Sequence, residues 1–469
     1  MVGSISVSYH IQIFCLKGGE KMEESTVIII VLILFLYLLL MGQYISSVLL
    51  TVGILGIYLL GGMQLLNGFI QNEPFNRVAS YTLTTVPLYM LMAQFIMQAG
   101  IVKDLYGLFY RLSRGRKGVL GVLTILIGGL LGGVSGSGTA TSAALGQIAV
   151  PEMQRRGYPD HLAGTIAAAA GSLSSIIPPS IFLIIYGVVA QISIGQLFSA
   201  ALLPGILLMV VFSGITMVYL RMNRYKIQST KAVAETSATL ESDADLDFDH
   251  TPVSRYVVVV LAGLFIVASI FGGIYTGIFT PTEAGAIGAF IALLLALLLG
   301  SVNKAFIINS LTETVKVSVM AMLIVVGASL FSRFISLSLI PRKIIALLGG
   351  LMDSPILIIV ILMVFYFFLF MFIEGVAVIL MTVPIISPML TEMNFDPLIF
   401  GIMLTIVCTL GMLTPPVGIS VYAVGSVSGI SIEKLFRTST VFAAIATIIV
   451  IFCLILFPEI VTWLPSQMK

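Results

Sequence analysis

A chain of 469 residues in which 59% are hydrophobic and 9% charged, with a mean hydropathy of +1.13, lies far outside the soluble-domain range and reads as a polytopic membrane protein. A net charge of +2 carries no sign of a nucleic-acid partner. The three cysteines, Cys15, Cys408 and Cys453, are too dispersed for a disulfide framework or a metal cluster, and His10, His161 and His250 form no H-E-x-x-H motif.

In chain order, residues 1–21 hold a weak apolar stretch with no basic residues before it, a poor signal peptide. Lys17 to Met22 reads like a ribosome-binding site translated in frame, so Met22 is the expected start and 1–21 a mis-annotated extension. Uncharged runs long enough to span roughly 20 residues of hydrocarbon core occupy 25–72, 118–151, 162–220, 256–282, 284–303, 354–373, 398–432 and 438–458. Several hold more than one crossing.

Two segments look interrupted: TLTTVPLYMLMAQFIMQAG (82–100), with Pro87 and Gly100, and VSVMAMLIVVGASLFSRFISLSLIP (317–341), with Gly327, Arg333 and Pro341. Re-entrant hairpins and kinked helices both fit them. Within GGVSGSGTATSAALG (132–146), Ser135-Gly136-Ser137-Gly138-Thr139 is a poor helix former inside an uncharged run. Backbone unwound in a membrane needs partners. Hydroxyls and loose carbonyls suit a hard cation such as Na⁺, and half-helix N-termini suit an anion. Close packing through small residues is the alternative.

SSIIPPSI (174–181) and GMLTPPVGIS (411–420) must break their helices, because proline lacks a donor and restricts the residue before it. Ser175, Ser180, Thr414 and Gly418 lie beside the carbonyls freed at Pro178-Pro179 and Pro415-Pro416. Structural kinks are the rival reading. The polar stretch 221–255 reads as a flexible linker. In GIFTPTEAGAIGAF (277–290), Thr280, Pro281 and Glu283 form a capping box. In MFIEGVAVILMTVPIISP (371–388), Glu374 stands between two apolar runs, as either a functional carboxylate or a membrane-boundary acid.

The linker separates a first membrane repeat, 22–220, from a second, 256–469. ISIGQLF at 192–198 is matched by ISIEKLF at 430–436, with a Pro-Pro pair upstream of each. Pro151 and Pro388 precede those pairs by one spacing, and at the same offset Gly138 falls on Gly375 and Ser137 on Glu374. Such symmetry marks secondary transporters. Five crossings per half would make the repeats inverted. That count, however, puts the basic loops 111–117 and 221–231 on opposite sides, against the positive-inside rule.

VSGSGTATSAALGQIAVPEMQRRGYP, IIPPSIFLIIYG, GIFTPTEAGA and LGMLTPPVGISVY together resemble, in order and spacing, the large membrane subunit of tripartite ATP-independent periplasmic (TRAP) transporters. The resemblance runs from about residue 25 to the C-terminus. It implies an all-α polytopic fold of two pseudo-symmetric repeats, with about 10–12 transmembrane helices, two re-entrant hairpins and elevator movement. It implies import of an organic acid, such as a C4-dicarboxylate or sugar acid, with Na⁺ as coupling ion. It also implies a small membrane subunit, a periplasmic substrate-binding protein and location in the bacterial inner membrane. Carried over by position, Ser135, Gly136, Ser137, Gly138 and Thr139 form one ion site with the segment around Pro87. Glu374, Gly375, Thr414, Pro415 and Pro416 form a second with Gly327, Ala328 and Ser329. From the residues themselves, Gly418 is a candidate for that second site, and Ser175, Pro178, Pro179 and Ser180 are candidates for the substrate pathway. The chain departs from the family pattern at Ala93, where Gly is common, and at Glu374, where Asp is common. A stand-alone Na⁺-coupled dicarboxylate symporter, a channel and a membrane-embedded enzyme are the rivals; for the enzyme the apolar runs offer no His or paired Asp.

Overall fold

The computed structural model describes residues 23–101, 104–105, 107–108, 117–222, 253–348 and 354–468. The expectations for 1–21, for the 111–116 loop and for most of the 221–255 linker lie outside the described residues. Every regular element among the described residues is helical. Eight of these helices are long and apolar enough to cross a membrane, below the expected 10–12. Five shorter apolar helices stand beside them, Glu24–Leu39, Val119–Gly132, Ile181–Ala190, Pro397–Gly411 and Ile419–Ser428. The chain divides into two compact units.

The first unit contains α1 (Glu24–Leu40), α2 (Ile45–Val78), the end of α11 (Lys304–Leu337) and α12 (Ile340–Leu348). Lipid is as apolar as leucine, so close packing holds such helices together. Small residues supply it. A Cβ on Gly53 would lie 2.7 Å from Phe331 N, one on Gly56 2.3 Å from the Phe334 ring, and one on Gly327 2.8 Å from Ser46 O. The rising register of these contacts makes α2 and α11 parallel. At Gly62 (φ 70°, ψ −172°) α2 kinks, and its second limb returns to α11, where Arg333 pairs with Glu73.

The second unit holds α3 (Thr85–Gln98), α4 (Lys117–Ser135), α5 (Gly138–Arg155), α6 (Asp160–Ser172), α7 (Ile181–Ala190) and α8 (Ile194–Met222). It continues with α9 (Val253–Tyr275), α10 (Pro281–Leu298), the start of α11, α13 (Pro355–Phe372) and the two ends of α14 (Gly375–Glu392). It closes with α15 (Pro397–Gly411), α16 (Ile419–Ser428), α17 (Ile432–Leu456) and α18 (Glu459–Thr462). Along α4 and α6 the contacts rise together: a Cβ on Gly121 would meet Ile166 at 3.1 Å, on Gly128 Ala170 O at 2.1 Å, and on Gly132 Ser174 Cα at 2.9 Å. Along α5 and α6 they run oppositely, with Gly138 against Ser175 and the Ser142 hydroxyl donating to Ala168 O (3.4 Å). So α4 and α5 are antiparallel, and Gly136-Ser137 is the tip of a helical hairpin. A second break separates α13 from α14. Phe370 packs on Gly411 and Tyr366 on Phe400, making α13 parallel to α15, while Gly375 at the start of α14 meets Cys408 near the end of α15. Ile373-Glu374 is the second tip.

These two hairpins correct the placement read from sequence. Residues 85–98 form one uninterrupted helix, with Pro87 in its first turn, where a missing N–H breaks no intrahelical bond. Gly327, Ala328 and Ser329 lie inside α11, which runs unbroken to Leu337. Gly327 serves close contact with α2 rather than a break. Pro341 is the second residue of α12.

The described helix ends that flank the basic loops can be placed. The α4 start is tied to the α6 start where the Gly121 N–H donates to Tyr158 Oη (3.0 Å). The α8 end joins them through His161 and Tyr219 (3.0 Å), and the α17 start through Leu435 against Gly164. Lys117, Arg155, Arg156, Arg221, Lys434 and Arg437 thus gather at one end of the unit. At the other end the Tyr186 hydroxyl donates to Pro397 O (2.6 Å), seating the α15 start beside α7.

Because backbone occupies the space a Cβ would need at Gly128, Gly128→Ala should destabilise the protein by about 1–3 kcal/mol. Gly263→Ala, with nothing within 4 Å, should not. Thermal unfolding of the purified variants in detergent checks this; equal melting temperatures would show that α4 does not lie against α6.

Candidate functional site

Each hairpin tip faces the Pro-Pro loop of its own half. At the first, α4 ends with Ser135, Gly136 takes the left-handed conformation (φ 60°), and Ser137 is extended and caps α5, its Oγ accepting from Ala140 N–H (3.4 Å). Only glycine suits position 136, since a Cβ there would stand 2.6 Å from Pro179 O. A Cβ on Gly138 would stand 2.3 Å from Ser175 Oγ. The loop itself is buried from Ser174 through Ile176 and from Pro178 through Ser180. Ser180 caps α7, accepting from Leu183 N–H (3.4 Å) and donating its hydroxyl proton to Ser175 O.

At the second tip Ile373 is extended and Glu374 precedes α14, with one carboxylate oxygen accepting from Ala377 N–H (3.1 Å). Ser137 and Glu374, paired by sequence offset, therefore both receive the N–H three residues on. The Pro415-Pro416 loop reaches this hairpin where Val417 N–H donates to Met371 O (3.1 Å). Thr414 is buried and donates to Gly411 O (2.8 Å). Gly418 (φ 29°) opens α16 with Phe436 and Thr414 O around the space of its missing Cβ. Both Pro-Pro peptide bonds are cis.

The two tip-and-loop pairs meet. The Ser175 hydroxyl donates to Met412 Sδ (3.9 Å), Phe182 of α7 packs on Gly375, and Val424 and Val427 of α16 pack on Gly146 of α5. The structure thus brings together Gly136, Ser137, Gly138, Ser175, Pro178, Pro179 and Ser180, and joins to them Glu374, Gly375, Thr414, Pro415 and Gly418. Pro416 is exposed on its loop, and Thr139, on the first turn of α5, is half-buried. The Ser135 side chain lies outside the described residues. The helix that holds Pro87 packs on α10, where Thr85 and Thr282 share a hydrogen bond (2.9 Å), and also lies against α4 and α7. Gly327, Ala328 and Ser329 belong to the first unit.

Sequence reading missed Met412, Cys408 and Ser420. Ser420 sits in the first turn of α16, its N–H donating to Met412 O (3.2 Å). Its Oγ is buried with no hydrogen-bond partner, an atom with bonding capacity to spare. Its position directly after T-P-P-V-G-I was the available signal. Chemically the site offers hydroxyls, loop carbonyls, helix N-termini and one carboxylate. Among the described residues no group of three His, Cys, Asp or Glu could hold a metal ion. Glu283, in contrast, completes the capping box, accepting from Thr280 N–H (2.8 Å) while Thr280 Oγ accepts from its own N–H (3.2 Å).

The family model for the tripartite ATP-independent periplasmic transporter, DctM component, matches residues 32–460. The chain is 29% identical over 393 residues to the C4-dicarboxylate TRAP transporter large permease protein DctM of Pseudomonas aeruginosa, covering 84% of this chain and 86% of that one. It is 28% identical over 400 residues to the sialic acid TRAP transporter large permease protein SiaM of Vibrio cholerae, covering 85% and 89%. Among solved structures, the YdaH transporter of Alcanivorax borkumensis superposes with a TM-score of 0.63 at 14% identity over 93% of this chain and 99% of that one, a likeness of fold.

Gly136→Ala would place a Cβ against Pro179 O and force a left-handed non-glycine residue, a cost of about 2 kcal/mol or more. Hydrogen–deuterium exchange should rise across residues 133–140 and 173–181 while that of α10 stays unchanged. Unaltered exchange in both stretches would mean that tip and loop do not support each other.

Proposed function

The chain belongs to the DctM component family of tripartite ATP-independent periplasmic transporters, multi-pass inner-membrane proteins, and from that premise we propose that it is a large permease subunit importing an organic acid with Na⁺ as the coupling ion. The observation that carries this reading is the pair of hairpin tips, each capped by an oxygen side chain, Ser137 or Glu374, and each facing a Pro-Pro loop. Irregular backbone at membrane depth is tolerated only inside protein or beside an aqueous cavity. The hydroxyl and carbonyl oxygens gathered there match what Na⁺ requires, and the N-termini of α5, α7, α14 and α16 match a carboxylate substrate. The unpartnered Ser420 Oγ supports a ligand beside the second loop.

Two inverted repeats organise this machinery. Their support is the matched order α4 to α8 and α13 to α17: hairpin, half-helix, Pro-Pro loop, half-helix, long helix. The base of the first hairpin lies at the basic end of the second unit and that of the second at the opposite end. By the positive-inside rule the basic end is cytoplasmic. The repeats interleave, α5 packing on α16 and α7 meeting the second tip. The body bearing both tips is therefore the natural moving part of an elevator cycle, and among the described residues Glu374 is the carboxylate placed to balance a cation at a tip.

Capture of dilute substrate falls to a periplasmic binding protein, with a small membrane subunit as third component. The dicarboxylate and sialic acid named for the two relatives support an anionic organic acid as the substrate class. In proteoliposomes with an inward Na⁺ gradient, uptake should need both partners and should fall several-fold for Ser137→Val or Thr139→Val, with weaker Na⁺ dependence. Robust gradient-driven uptake by this chain alone would instead identify a stand-alone symporter.

Glu374→Gln removes the tip carboxylate, whereas Glu283→Gln touches an exposed helix cap. At matched amounts of folded protein, the first should lower transport by about ten-fold or more, in keeping with about 1.4 kcal/mol or more of lost ion or substrate stabilisation. The second should lower it less than two-fold. The reverse order would place the essential carboxylate at α10.

A further inference from the structure

A group of charges in the first unit takes no part in the tips. Glu73, on the second limb of α2, binds two arginines at once: Arg333 of α11 through Nε (2.9 Å) and Nη2 to Oε1, and Arg77 through Nε to Oε2 (3.2 Å). The Glu73 side chain is 14% exposed, whereas those of Arg77 and Arg333 are 39% and 44% exposed. Arg333 also lies over the Phe69 ring, 5.3 Å from its centre. Among the described residues the carboxylate is the one ion-pair partner of both guanidiniums.

Two positive charges around one negative leave the group with one net positive charge. Both terminal nitrogens of Arg77 and Nη1 of Arg333 keep donors to spare. Anchoring each Nε on one carboxylate keeps both guanidiniums at the same group and limits the further entropic cost of binding, and guanidinium forks suit a tetrahedral oxyanion. Ile70, Phe75 and Val78, exposed on the same limb, are apolar. Arg77 stands one residue before the α2 end at Val78 and Arg333 four before the α11 end at Leu337, where helix-end arginines reach the headgroup layer.

We propose that Arg77 and Arg333, bridged by Glu73, form a binding site for the phosphate of an anionic phospholipid, whose acyl chains run over Ile70, Phe75 and Val78. Charge complementarity selects the anion, and the apolar surround selects a lipid over a free ion. A bound headgroup staples the second limb of α2 to α11 across the Gly62 kink.

The test uses the purified full chain, native mass spectrometry and short-chain phosphatidylglycerol or phosphatidylcholine, with inorganic phosphate as competitor. Phosphatidylglycerol should bind at least about five-fold more tightly than phosphatidylcholine. Arg77→Gln and Arg333→Gln should each weaken phosphatidylglycerol binding roughly ten-fold, about 1.4 kcal/mol, with phosphatidylcholine unchanged. Arg77→Gln keeps the Arg333–Glu73 pair, so it tests the site without removing the link between the helices. Arg437→Gln, an exposed basic residue of the second unit, should have no effect. Equal binding of the two lipids, unaltered phosphatidylglycerol binding in both variants, or an equal loss in Arg437→Gln would overturn the proposal. Displacement of the lipid by millimolar phosphate would overturn it as well, in favour of a free-anion site.

Discussion

Backbone groups that leave a helix inside a membrane must find partners in the protein, and the second unit is organised around that demand. Each unpaired carbonyl or N–H left in hydrocarbon costs on the order of several kcal/mol, and the described residues of the second unit unwind at the two tips and the two Pro-Pro loops, among other turns. Its solution is to set them against one another. Gly136 lies under Pro179 O, Val417 N–H is bound by Met371 O, and Ser137, Ser180 and Glu374 each occupy an N–H at a helix start. On the function proposed above, the oxygens left over after this mutual satisfaction are the ones a cation can use, and the helix N-termini are what an anionic substrate can use.

Small residues make the arrangement possible. Gly128 and Gly132 let α4 lie directly on α6, Gly146 seats α5 against α16, and Gly375 admits the Phe182 ring and Cys408. In lipid, where water exclusion contributes little between helices, such contacts supply packing that larger side chains would hold apart. The first unit repeats the device with Gly53, Gly56 and Gly327. One residue type thus serves two ends: at Gly136 it permits a left-handed turn, and elsewhere it brings helices close.

That double use marks the limit of what the amino-acid order conveys. The uncharged runs, the SGSGT break, the two Pro-Pro loops, the capping box at Thr280 and the offset pairing Ser137 with Glu374 are all visible in the chain. They are local consequences of hydropathy, helix propensity and proline chemistry. The family is legible through the resemblance that these motifs carry, and the candidate residues of the tips and loops are drawn from the same stretches. Direction is not local. A weak helix former at 136 says that the helix stops; it does not say whether the next helix continues across the membrane or turns back. That is decided by the opposite registers of α4 and α5 along α6. Nor does sequence distinguish a glycine that interrupts a helix from one that packs it, so Gly327 reads as a break although Ser46 and Leu49 of α2 occupy its open side. Tertiary contact likewise settles that Pro87 begins a helix docked on α10, and that Ser175 touches Met412. By itself the sequence determines where this chain must cross, break and restart, because those follow from each residue's own backbone and solvation chemistry. The tertiary structure alone decides which breaks are reversals and which of them share a site, because both depend on residues far apart in the chain coming within a few ångströms.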